Sequence, residues 1–112
     1  MKATLFALAL GILPATALAA TPAQIAAGKK IVFTKALGNC LACHVIAGGS
    51  QPGDIGPELK NVKSMVPNRK TLYAIIYDEE ARNPQTLMPP FGKNAILTPQ
   101  QINDVIDFLY TK

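Results

Sequence analysis

The chain has 112 residues, of which 49% are apolar and only 16% charged, and carries a formal net charge of +4. That length supports one small domain, and no apolar run approaches the roughly 20 residues of a membrane span, which excludes a polytopic membrane protein. Two cysteines and no tryptophan exclude a multi-disulfide scaffold and leave a thin core, of the kind that small exported domains supplement with a disulfide or a cofactor.

The apolar excess sits at the front. Met1-Lys2 gives a positive start, Leu5 to Leu13 is an apolar run ended by Pro14, and Ala17-Leu18-Ala19 supplies small residues for a cut before Ala20. This pattern predicts a secretory signal peptide over residues 1–19; the competing reading, an uncleaved anchor, needs a longer run. From residue 20 on, 41 of 93 residues are apolar, an ordinary 44%, and the loss of Lys2 lowers the net charge to +3. The expectation is a mildly basic domain over residues 20–112, exported to the periplasm.

Thr21-Pro22-Ala23-Gln24 is a capping box with proline at the first helical position. It predicts a helix with apolar Ile25, Ile31, Val32 and Ala36 that runs toward Gly38. Gly28 lies on that face. It marks either a close approach by another helix or simple tolerance of a residue that costs about 1 kcal/mol in a helix interior.

Cys40-Leu41-Ala42-Cys43-His44 gathers both cysteines and the only histidine into five positions. C-x-x-C-H is the pattern of covalent c-type haem attachment. Two intervening residues place the thiols about one helical turn apart, so each reaches one vinyl group of the same porphyrin, and the adjacent imidazole faces the iron. A thioredoxin-type dithiol wants a strand before it within a βαβ chain, and a zinc site wants four ligands. A plain disulfide leaves His44 unexplained. Haem c is therefore expected, tethered by Cys40 and Cys43, with His44 as proximal ligand.

Gly53-Asp54-Ile55-Gly56-Pro57 follows as a loop. It is either a surface turn or a brace for the imidazole, with the carbonyl before Pro57 accepting the Nδ1–H. Pro57 is expected to start a short helix through Lys63, and Asn68 to cap a helix from Arg69 to about Glu80 with Leu72, Ile75 and Ile76 inward. Asp78-Glu79-Glu80 reads as a solvated helix end, and Lys29, Lys30 and Lys35 as solvated.

A chain with one histidine has no second imidazole for the sixth iron position. Met65, in Lys63-Ser64-Met65-Val66-Pro67, reads as core filler. Met88, in Thr86-Leu87-Met88-Pro89-Pro90-Phe91-Gly92, sits in a loop stiffened by two prolines, which suits a weak iron–thioether bond. Met88 is the expected distal ligand. His/Met ligation raises the potential and closes the iron to external ligands, pointing to outer-sphere electron transfer. The two haem propionates reduce the positive charge, so no nucleic-acid partner is expected.

A second capping box, Thr98-Pro99-Gln100-Gln101, opens a helix with Ile102, Val105, Ile106 and Leu109 on one stripe and Asn103, Asp104 and Asp107 on the opposite, wet face. No strand alternation is visible. The expected fold is all-α, built around one haem.

C-x-x-C-H near the front, Gly-Pro after it, a methionine in a proline-bearing loop and a final amphipathic helix resemble class I cytochromes c, whose first and last helices cross. The likeness is closer still to the SoxX family, the monohaem subunits of bacterial SoxAX complexes. Gly38-Asn39-Cys40 through His44, Gly53 to Pro57, Arg82-Asn83-Pro84, Met88 to Gly92, Ile96-Leu97-Thr98 and the final helix carry it. The resemblance implies a haem-bearing SoxA partner and joint oxidative conjugation of thiosulfate to a SoxYZ carrier. It also implies a small soluble cytochrome as electron acceptor, with the catalytic site on SoxA and no catalytic residue in this chain. A free class I shuttle serving a respiratory oxidase is the alternative.

Overall fold

A computed structural model of the protein describes Gly11 and residues 18–112; the expected signal peptide otherwise lies outside the described residues. Both capping boxes form. Thr21 Oγ1 accepts the Gln24 N–H at 3.2 Å while Gln24 Oε1 accepts the Thr21 N–H at 2.8 Å, and α1 spans Pro22–Phe33. Thr98 and Gln101 repeat the exchange at 3.2 and 2.9 Å ahead of α4, Pro99–Leu109.

The first helix stops five residues short of Gly38. Thr34 turns extended (φ −90°, ψ 121°), and Gly38 donates its N–H back to Ile31 O at 3.0 Å. A turn rather than another helical turn thus satisfies the last carbonyls of α1, and Ala36 lies exposed on that turn.

Between the terminal helices lie α2, Val62–Met65, and α3, Arg69–Asp78, which tightens into a single 3₁₀ turn at Glu79–Ala81. Asn68 caps α3 as expected, its side chain accepting from the Lys70 and Thr71 N–H groups. Leu72 and Ile76 are buried and Ile75 half-buried. The helix expected from Pro57 instead begins at Val62, after Asn61 in the left-handed region (φ 50°). The chain from Pro57 to Leu59 is held extended beside residues 44–46, where Ile46 and Leu59 form an isolated parallel bridge. That bridge is the only β-pairing among the described residues, so the fold is all-α.

The crossing of α1 on α4 organises the core. Ile102, Val105, Ile106 and Leu109 are all at most 4% exposed, and Phe33 meets Phe108 edge to face at 5.7 Å. A Cβ on Gly28 would run into the Asp104 carbonyl and Phe108 Cβ; the close-approach reading of Gly28 is the correct one. Asp104 and Asp107 are not on a wet face: each is 8% exposed, Asp104 because α1 closes on it at Gly28 and Asp107 because the start of α3 lies against it. Asp107 pairs with Arg69 at 2.5 Å, and Asp104 accepts from Gln100 Nε2 at 2.9 Å. Burial of each carboxylate is tolerable only with such a partner.

Candidate functional site

The Cys40–His44 segment is entered through Asn39, whose backbone is left-handed (φ 49°), a conformation that asparagine tolerates better than most residues. This is a role the motif alone does not announce. Cys40–Ala42 then forms one 3₁₀ turn, and the His44 N–H closes on Cys40 O at 3.0 Å. The two sulfurs thus stand on one turn, unpaired with each other and half-buried. Burial, assisted by the nearby Cys43, pushes the free Cys40 thiol up to about 11 against a lowering backbone hydrogen bond.

So short a turn leaves its carbonyls without helical partners, and the following loop supplies them. Gly53, Gly56 and Leu59 donate their N–H groups to Leu41, Cys43 and Val45 carbonyls at 2.9, 2.8 and 2.9 Å. This lacing brings the loop against the imidazole. His44 Nδ1 donates to the Pro57 carbonyl at 2.6 Å; a carbonyl can only accept, so Nδ1 carries a proton, and in the neutral ring the lone pair is then on Nε2. Gly56 lies against the ring, where a Cβ would come within 2.7 Å of Nδ1. The brace is therefore real, but the accepting carbonyl belongs to Pro57 itself, not to the residue before it. The proton-bearing Nδ1, the free Nε2 and two unpaired sulfurs on one turn fit a haem.

Met88 lies half-buried against the core cluster. Its loop is stiffened from within. Thr86 donates to Asn83 O at 3.0 Å, and the Met88 N–H reaches Thr86 Oγ1 at 3.1 Å. Pro90 and Phe91 are buried. Met65 is 57% exposed on α2, so it is not core filler; the lone turn of α2 offers too little surface to bury it. The acidic run after α3 is not fully solvated either. Glu79 is buried and holds Arg82 at 2.9 Å, and Asp78 meets Lys93 at 3.2 Å. Lys29, Lys30 and Lys35 are exposed as expected.

A sequence profile of the cytochrome c family matches residues 25–111. The chain therefore belongs to that family, and its fold is the all-α class I cytochrome c fold; its cofactor is haem c, covalently held. Among solved structures it resembles a chain of SoxXA from P. pantotrophus, with a TM-score of 0.66, 30% identity, and 86% of this chain and 84% of that one covered. Together these likenesses support a SoxX-type class I cytochrome. It is also 35% identical over 78 residues to an uncharacterized lipoprotein of Aquifex aeolicus (strain VF5). That match takes in 65% of this chain and spans 36% of the relative's length. No helix of the described residues is long and apolar enough to cross a membrane.

Proposed function

We propose that the chain is the monohaem electron-transfer subunit of a SoxAX-type complex, working in the periplasm after removal of residues 1–19, with residues 20–112 as the cytochrome domain. In this reading Cys40 and Cys43 tether the haem and His44 is the proximal ligand. Met88 is the distal ligand. The observation that carries the site is the His44 ring held between Gly56 and the Pro57 carbonyl. A donated Nδ1–H fixes the ring's plane and raises the basicity of the Nε2 left for iron. When bound, the haem would supply the one-electron couple; the chain orients the imidazole, and Met88 would offer the iron a thioether, which favours the reduced state.

The partner assignment rests on the likeness to SoxXA. A haem-bearing SoxA-type subunit is the stable partner and carries the catalytic site. The complex joins thiosulfate to a SoxYZ carrier, and this chain passes the electrons to a small soluble cytochrome. Exposed apolar side chains stand beside both ligand loops: Ile55, 66% exposed, precedes Gly56, and Leu87, 76% exposed, precedes Met88. Apolar side chains left in water around a ligand site suit a stable partner.

Native purification tests the reading. A second haem protein is expected to co-elute, and deletion of the chain is expected to abolish thiosulfate oxidation. A monomer reduced by respiratory donors, with thiosulfate oxidation intact after deletion, would establish a free shuttle instead.

A further inference from the structure

The Met88 loop hangs from one place. At its entry, the Asn83 N–H donates to Glu79 O at 2.8 Å, and the buried Glu79 carboxylate grips Arg82. At its exit, the Gly92 and Lys93 N–H groups both donate to Tyr77 O, each at 3.1 Å. Residues 83–92 therefore begin and end on the last turn of α3 and the 3₁₀ turn that continues it. The exit is the tighter of the two. Gly92 lies flat on the Tyr77 ring, where a Cβ would collide with Cδ2 and come within 2.6 Å of Cγ. Tyr77 is itself stacked on Tyr73, ring centroids 6.0 Å apart. Lys93 Nζ adds ion pairs to Asp78 at 3.2 Å and Glu80 at 3.9 Å. The second Asp78 oxygen is buried without a partner, so this carboxylate depends on Lys93 for its compensation.

We propose that the seat formed for Gly92 by the carbonyl and ring of Tyr77, locked by the Asp78–Lys93 pair, is the positioning element that keeps Met88 at the iron. The proposal rests on Met88 as distal ligand. An iron–thioether bond is weak, so its occupancy follows the fraction of molecules whose loop is closed. Lifting residue 92 breaks both bonds to Tyr77 O together and orphans a carbonyl at the end of α3. Tyr77, Gly92, Asp78 and Lys93 thus act through Met88.

The test uses haem-loaded protein and two readouts: the weak far-red absorption that an iron–thioether bond gives ferric protein, and the apparent affinity of the ferric iron for added imidazole. Gly92→Ala is expected to bind imidazole about tenfold more tightly and to lose far-red absorption, with covalent haem content unchanged. Adding Tyr77→Ala, which clears the ring but keeps the carbonyl, is expected to return both readouts toward wild type. Lys93→Gln, which leaves the seat intact, is expected to raise imidazole affinity about threefold. Met88→Ala serves as reference. If it abolishes the far-red absorption while Gly92→Ala and Lys93→Gln behave as wild type, the seat has no positioning role although the ligand is right. If Met88→Ala leaves the absorption unchanged, the ligand assignment fails and takes the proposal with it. Should Gly92→Ala not accumulate with haem, Lys93→Gln decides alone, and wild-type imidazole affinity in that variant overturns the proposal.

Discussion

Gly28→Ala is the substitution on which helix propensity and packing disagree about sign. Alanine in place of an interior glycine gains about 1 kcal/mol of helix propensity. Here the added methyl would enter the Asp104 carbonyl and Phe108 Cβ, a backbone surface with no rotamer to move aside. Overpacking of a close-packed core costs typically about 1–3 kcal/mol, and a rigid carbonyl places this site at the upper end, so the net loss is about 2 kcal/mol. For a domain near 93 residues that corresponds to a fall in Tm of roughly 10 °C. Far-ultraviolet circular dichroism of haem-loaded protein during a thermal scan reads it directly. An unchanged or higher Tm would refute the close approach of α1 and α4 at Gly28, because propensity alone would then decide the outcome.

Other outcomes follow from the same geometry. Arg69→Ala removes the partner of a carboxylate only 8% exposed and is expected to cost about 2 kcal/mol in denaturant unfolding, less than a fully buried pair because Arg69 itself is 42% exposed. Wild-type stability would show that water already solvates Asp107. Gly56→Ala forces a methyl against the His44 ring; haem-loaded yield is expected to fall and the Soret absorption to shift, whereas an unaltered spectrum at full yield would remove the brace. Met88→Ala is expected to lower the reduction potential by on the order of 0.1 V, within the roughly 0.8 V that axial ligation commands, as measured by spectroelectrochemistry. An unchanged potential would eliminate Met88 as ligand.

Local signals were legible in the sequence where one short segment decides the outcome. Both capping boxes and the Asn68 cap are stated by neighbouring residues, and each forms; Gly28 left two readings open, which only its contact with distant α4 decides. What was illegible depends on distant partners. Asp104 and Asp107 fall on the polar side of the α4 stripe, and nothing nearby in sequence announces that α1 will close on Asp104 at Gly28 or that Arg69 of α3 will reach Asp107. The end of α1 is not legible locally either: Gly38 looks like a helix stop, whereas it closes a longer turn onto Ile31. Pro57 looked like a helix start, yet its carbonyl is committed to His44. In the candidate site, residue types and spacing pointed to the haem-binding segment. The Asn39 entry and the lacing of Gly53, Gly56 and Leu59 onto that segment required the chain path.

X-ray absorption at the iron edge of the reduced, haem-loaded protein tests the ligand set most directly. One sulfur scatterer is expected in addition to the porphyrin and imidazole nitrogens, and it should vanish in Met88→Ala. Absence of that sulfur from the wild-type protein, or its persistence in Met88→Ala, would contradict the His44/Met88 centre.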